Sequence, residues 1–392
     1  MKYNVTKGFR IFAYILGSLF ALGGLAPILF SFNASIPSEK WAMIITGLFM
    51  LAIGLMFIVG VIRTSLNITD RSVINKDIFT TREFLFEEIA GYRITNRNLL
   101  TIVPHGKRRP MRISAYLERG NDIRAWLKAN YRDLDMIRHE QETKEIIANQ
   151  EFGADSHERY AMLEKARKYC RAATFVSVVL LLWILITPTP YEWVMTALLV
   201  APWIGVYAVN YFKGLIRLGR RKGSAYPSIT MLMALPTFGV LLADIRDYKI
   251  YLFDSQAWSI LLGTTAIVGA ICFFGFAKAI AAGGKKILSA ICVIVMAGIY
   301  SWGLIIFSNC FYDNSIPDRY ETRLEGKHYT SGKTTTYYLD LEPWGRFEKV
   351  TNETVPKDFY NMMEAGDTVF VYVRKGKWNI PWYWITKASN AR

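Results

Sequence analysis

Charge-free apolar runs of bilayer length constrain this chain more than any other feature. Ile11 to Phe32 contains no charged residue, and neither does Trp41 to Ile62. At 1.5 Å per residue, each run crosses a hydrocarbon core of about 30 Å as a helix. A helix also satisfies its own backbone hydrogen bonds where no water is present. A secretory signal would likewise begin with basic residues, here Lys2, Lys7 and Arg10. Its apolar core is only about 7–15 residues long, however, and here a second span follows the short Asn33–Lys40 loop. The first run therefore reads as an uncleaved membrane helix.

Five more runs are expected to cross: Ala172–Thr187, Trp193–Phe212, Pro227–Ala243, Ala257–Ala277 and Leu288–Phe307. The third of these is short and carries Pro236. Their orientation follows from charge. The 47 Lys and Arg residues outnumber 32 Asp and Glu residues, for a formal charge of +15. The excess falls on Met1–Arg10, on the polar insert after Arg63, on Lys213, Arg217, Arg220, Arg221 and Lys222, and on Lys278, Lys285 and Lys286. Alternation through seven spans puts all of these on one side, which the positive-inside rule makes cytoplasmic. Trp41, Trp193 and Trp258 follow the opposite-side loops, where an interfacial aromatic belt belongs. If Pro227–Ala243 did not cross, the Lys278–Lys286 loop would fall outside. The expectation is a bacterial inner-membrane protein, amino terminus cytoplasmic and carboxyl terminus outside. Nucleic acid is excluded as a partner, because the chain has no basic recognition helix and no aromatic single-strand platform.

The insert between the second and third spans has the pattern of a folded domain. Leu66–Thr69 and Ser72–Asn75 read as strands joined at Asp70–Arg71. Phe84, Phe86, Ala90, Tyr92 and Ile94 alternate across a Glu87–Glu88 turn, and Leu99–Val103 and Met111–Ser114 suit two more strands. Asn121–Asp122 offers an N-cap for a helix whose apolar face is Ile123, Trp126, Leu127 and Tyr131. The segments LNITD (Leu66–Asp70), FLFEEIAGYRI (Phe84–Ile94) and DIRAWLKANYRDLD (Asp122–Asp135) carry a resemblance to bacterial pleckstrin-homology-like domains. That resemblance implies antiparallel strands closed by one helix, and a role in binding rather than catalysis.

Beyond Asp133 the pattern becomes charged helix, broken at Phe152–Gly153. Asp155 and Glu158 have capping-box spacing, with Asp in place of Ser or Thr, and the helix they open runs on into the third span. After the last span, Tyr337–Leu341 and Thr368–Val373 suit strands, Pro356–Asp358 a short helix, and Gly366–Asp367 and Gly376 turns. Trp378, Trp382, Tyr383 and Trp384 are expected to form the core of this β-rich tail. The chain thus divides into a two-span hairpin (1–63), a cytoplasmic pleckstrin-homology-like β-plus-helix domain (64–133), a charged helical stalk (134–170), a five-span block (171–309) and an extracytoplasmic β-rich domain (310–392).

Chemistry is sparse. The four cysteines show no CxxC or zinc-ligand spacing, and His139–Glu140 lacks the second histidine of HExxH. P-loop, GxSxG and kinase signatures are missing from the sequence. Glu87 and Glu88 could suggest paired carboxylates, but adjacent strand residues would point to opposite faces, and the two are read as turn charges. No catalytic residue, metal site or cofactor is expected. Lys107, Arg108, Arg109 and Arg112 form the sharpest charge cluster, a candidate site for anionic lipid or a protein partner. Asn210 and Pro236 are the polar and helix-breaking candidates inside the spans. The reading is a non-enzymatic scaffold or sensor, acting through a protein partner, a second copy or membrane lipid. A transporter or channel component using the five-span block is the alternative.

Overall fold

The computed structural model describes residues 1–32, 36–94, 99–219, 222–281, 286–331 and 335–387. Of the basic residues used above, Arg220, Arg221 and Lys285 lie outside the described residues, as does the start of the Asn33–Lys40 loop. The chain forms two compact units, Met1–Glu145 with Arg221–Ala225, and Ile146–Arg220 with Tyr226–Arg392.

The first unit opens with a strand, β1 (Lys2–Asn4), followed by helices α1 (Lys7–Ser31) and α2 (Pro37–Arg63). Next come β2 (Ser65–Ile68), β3 (Ser72–Lys76), β4 (Thr81–Leu85), β5 (Ile89–Ile94), β6 (Leu100–Pro104), β7 (Met111–Ile113), α3 (Gly120–Asn130) and α4 (Leu134–Ala148). The sequence reading has no strand before Arg10. β1 nevertheless pairs antiparallel with β2, with Tyr3 opposite Leu66 and both side chains buried. The α1–α2 hairpin is therefore inserted between two neighbouring strands of one sheet. That insertion puts Met1 and the sheet at the same end of the helix pair.

Two antiparallel sheets follow, ordered β1-β2-β3-β4 and β5-β6-β7. A 3₁₀ turn at Phe86–Glu88 carries the chain from one to the other. The Phe84–Ile94 alternation thus spans two strands as expected, and turns a corner between the two sheets. α3 covers the sheets with buried Ile123 and Leu127 and half-buried Trp126 and Tyr131, the expected face. Its start differs from expectation. Arg119, in the left-handed region at φ 55°, is the N-cap, and Asp122 sits in the first turn accepting a 2.6 Å hydrogen bond from Arg119 Nε.

α1 and α2 touch backbone to backbone. A Cβ on Gly24 would lie 2.6 Å from the Gly47 carbonyl oxygen, and one on Gly54 would lie 2.5 Å from that of Gly17. Glycine pairs seven residues apart on each helix let two apolar helices approach where no hydrophobic force separates protein from lipid.

In the second unit, α5 (Ser156–Ile186) starts as expected. Asp155 accepts from the Glu158 N–H at 2.7 Å, and Glu158 Oε2 accepts from the Ala154 N–H at 2.8 Å. The helix continues unbroken into its apolar part. α6 (Tyr191–Tyr211), α7 (Thr230–Asp247), the two-residue strand β8 (Lys249–Ile250), α8 (Ser255–Gly275), α9 (Ala277–Ala281) and α10 (Lys286–Phe311) follow. Among the described residues six helices are long and apolar enough to cross a membrane: α1, α2, α5, α6, α8 and α10. α7 is shorter and ends in the charged Asp244–Asp247 turn. It packs against α5, α6 and α10.

The tail forms β9 (Asp318–Ser331), β10 (Thr335–Leu341), β11 (Thr351–Val355), the short helix α11 (Lys357–Met362), β12 (Thr368–Arg374) and β13 (Trp382–Lys387). β10 and β12 sit where the sequence placed strands, whereas β9, β11 and β13 are additional to that reading. They make one antiparallel sheet, ordered β11-β10-β9-β12-β13-β8, to which the loop between α7 and α8 adds its last strand. The long β9 pairs with β12 over its first half and with β10 over its second. The aromatic core differs from expectation. Tyr383 is buried, but Trp378 is 46% exposed and Trp382 and Trp384 are only half-buried. Trp344 is the tryptophan in the core, packed with Leu324, Leu339 and Val371.

Candidate functional site

In the second unit, buried Asn309, Asp313 and Glu353 lie where the helices meet the sheet. Asn309, in the last turn of α10, donates from Nδ2 to the Ile380 carbonyl at 2.8 Å and accepts at Oδ1 from the Trp378 N–H at 2.9 Å. Asp313, just beyond the helix, accepts at Oδ2 from the Gly376 N–H and from the Trp382 indole, both at 2.9 Å, and at Oδ1 from the Ser315 N–H at 2.8 Å. Its own carbonyl accepts from Arg374 Nη1 at 2.9 Å. The end of α10 therefore grips the β12–β13 connection from inside. Gly376, at φ +78°, is required for that close approach, because a side chain there would run into Asn309. Burial opposes charge on Asp313. The donors from Ser315, Trp382 and Gly376 outweigh it and hold the carboxyl below its ordinary value.

The same junction is tied from the α7–α8 loop. Lys249 Nζ lies 2.6 Å from Glu353 Oε2, and the Tyr383 hydroxyl donates to Glu353 Oε1 at 2.7 Å. Glu353 is buried, so pairing on both oxygens is what permits it there. Burial first, and then the charge of Glu353, push the Tyr383 phenol up.

Asp244 has no such arrangement. It lies one turn before the end of α7, is 1% exposed, and neither carboxyl oxygen has a hydrogen-bond partner among the described residues. The facing residue on α10 is Gly303, where a Cβ would stand 2.6 Å from Val240 Cγ1 and 3.5 Å from Asp244 Oδ2. Ser301 Oγ, also on α10, is likewise buried without a partner. Arg246, two residues on, is committed elsewhere: it forks onto Asp247 at 2.6 and 2.8 Å and donates to the Ile184 carbonyl at the end of α5. A lone buried carboxyl can exchange a proton or pair with a cation brought to it. The described residues contain no group of three or more His, Cys, Asp or Glu able to hold a metal ion. The sequence reading ended the span at Ala243 and so left Asp244 at its edge. The signal it missed is that helical periodicity runs on to Asp247.

The residues singled out from sequence are not brought together. Lys107, Arg108 and Arg109 sit in the exposed β6–β7 turn, where Arg108 pairs with Glu88 at 2.6 Å. Arg112 lies on β7, its carbonyl accepting from Asn75 Nδ2 at 3.1 Å. Asn210 ties α6 to α8, donating from Nδ2 to the carbonyls of Val206 at 2.9 Å and Gly275 at 3.0 Å. Pro236 is buried within α7, where it deprives the Leu232 carbonyl of its helical donor. Pro202 does the same to Leu198 within α6. There the Tyr300 hydroxyl donates to the adjacent Leu199 carbonyl at 2.9 Å while accepting from the Trp203 indole at 2.7 Å. Compared with family models, curated proteins and solved structures, the chain matches none.

Proposed function

We propose that the protein is a seven-span membrane sensor or scaffold of the bacterial inner membrane, with the amino-terminal β domain cytoplasmic and the carboxyl-terminal sheet outside. The observation that carries this reading is the junction of the second unit. The sheet recruits β8 from the loop between α7 and α8, and its β12–β13 connection is held by Asn309 and Asp313 of α10. A ligand or load on the sheet would thus act directly on two helices rather than on a flexible tether. α7 supplies the seventh span in this reading: it packs among α5, α6 and α10, and its charges are confined to its last turn. The cytoplasmic module reads as pleckstrin-homology-like, supported by a four-stranded and a three-stranded antiparallel sheet covered by one helix. It would engage a protein partner, a second copy or the anionic leaflet.

One observation favours a second reading. A buried ionisable side chain without a partner, within a helix block, is what ion or proton pathways use, and Asp244 is such a side chain. The two readings separate on one preparation of the intact protein in mild detergent. A stoichiometric protein partner identified by mass spectrometry supports the scaffold. A lone protein that carries solute or ion flux in proteoliposomes, lost in Asp244→Asn, supports transport and overturns the scaffold.

A further inference from the structure

In the β domain of the first unit, one exposed turn sits beside the end of α2. The β3–β4 turn (Asp77–Thr80) is closed by the Asp77 N–H donating to the Thr80 carbonyl at 2.8 Å, with Asp77 Oδ1 accepting from the Ile78 N–H at 2.8 Å. Ile78 packs against the backbone of α2: a Cβ on Gly60 would lie 3.0 Å from its side chain. At that level α2 still presents exposed Val59 and Ile62. The turn is thus fixed beside the apolar end of a membrane helix. Its next residue, Phe79, points away from the domain and is 76% exposed. On the α1 side, exposed Tyr116 stacks on Phe9 at 3.9 Å between ring centroids. An aromatic ring held beside the end of a membrane helix belongs in the interfacial layer of the bilayer.

Positive charge surrounds the turn. Arg82, one residue into β4, donates from Nη1 to the Pro110 carbonyl at 2.8 Å, and Asn75 of β3 holds the Arg112 carbonyl. The Lys107–Arg109 turn itself lies toward the opposite end of β4, where Arg108 pairs with Glu88 at 2.6 Å and Glu88 accepts from the Leu85 N–H at 3.1 Å. Lys76 and Arg63 are exposed nearby in sequence, at the ends of β3 and α2. Anionic headgroups attract such side chains by about 1 kcal/mol each. We infer that Phe79 inserts into the bilayer interface while Lys76 and Arg82, at the base of the same turn, lie on anionic lipid headgroups, so that the β3–β4 turn is held against the leaflet. The inference deepens the proposed function and rests on it only in taking α2 as a membrane helix.

The test uses the full chain in nanodiscs of phosphatidylcholine with and without phosphatidylglycerol. The photoreactive residue p-benzoylphenylalanine replaces Phe79, Ile62 or Leu85 in turn, and lipid adducts are read by mass spectrometry. Leu85 is exposed at the far end of β4, about 13 Å along the strand. Expected are lipid adducts at positions 79 and 62 and none at 85. Phosphatidylglycerol should raise the yield at 79 several-fold. Changing Lys76 and Arg82 to serine should remove that gain without altering position 62. Adducts at 62 but not at 79 would overturn the docking surface and leave the membrane reading standing. Absence of adducts at both positions would overturn the two together.

Discussion

Asp313 and Asp244 stand within one layer of the second unit yet call for opposite predictions. Asp313 is buried but receives three donors, and hydrogen bonds to a charged group are worth about 1.5–3 kcal/mol each. Asp313→Asn keeps the volume, replaces an acceptor-only group and loses the charge. It should lower the thermal midpoint in detergent at neutral pH by the equivalent of about 1–3 kcal/mol. Because the folded carboxyl lies below its ordinary value, its contribution is present above the unfolded value and disappears as pH falls through the folded one. The gap between wild type and variant should therefore close on acidification. A gap that stays constant with pH would remove the charged clamp. Asp244 receives no donor, so its carboxyl gives nothing to stability that an amide would not. Asp244→Asn should melt no lower than the wild type. A large loss of stability would mean that Asp244 has a structural partner.

At the scale of elements, the α1–α2 pair depends on backbone contact at Gly17, Gly24, Gly47 and Gly54. Gly24→Leu would drive a side chain into the Gly47 carbonyl and separate the helices. It should abolish a monodisperse peak in size-exclusion chromatography in detergent. Gly8→Ala, where a Cβ meets nothing within 4 Å, should leave that peak unchanged. If both variants behaved like the wild type, the close approach would not be holding the pair. Much of this level was legible in the sequence. The period-2 runs gave β2 to β7, β10 and β12, the Asp155–Glu158 spacing gave the start of α5, and the i, i+3, i+4 pattern gave the buried face of α3. What stayed hidden was pairing at a distance. β1 has three residues and its partner lies across two membrane helices, so Tyr3 and Val5 alone could not announce a strand. β8 has two residues and exists only because β13 offers an open edge. Neither Asn309 nor Asp313 carries a local motif. Their roles arise from the β12–β13 connection about seventy residues later in the chain.

At the scale of the whole molecule, the arrangement in the membrane turns on α7. Strand β1 fixes Met1 and the β domain at one end of α1 and α2 irrespective of any charge rule. Likewise Arg246 on the Ile184 carbonyl, Tyr191 against Phe307 and Phe311, and Tyr248 against Trp382 gather one end of α5, α6, α7 and α10 around the sheet. With α7 crossing, seven spans set the two soluble regions on opposite faces and leave every strongly basic loop on the face of the β domain. With α7 not crossing, six spans would return the sheet to the same face as the β domain. Two cysteines decide between these. Asp70→Cys lies in the exposed β2–β3 turn and Tyr329→Cys on exposed β9, each placed in a chain whose exposed native Cys292 is changed to Ser. In intact spheroplasts a membrane-impermeant maleimide should label position 329 and reach position 70 only after lysis. Labelling of both or of neither before lysis would put the two soluble regions on one face. It would exclude α7 as a span, and with it any sensor that works by passing a signal from the sheet to the β domain across the membrane.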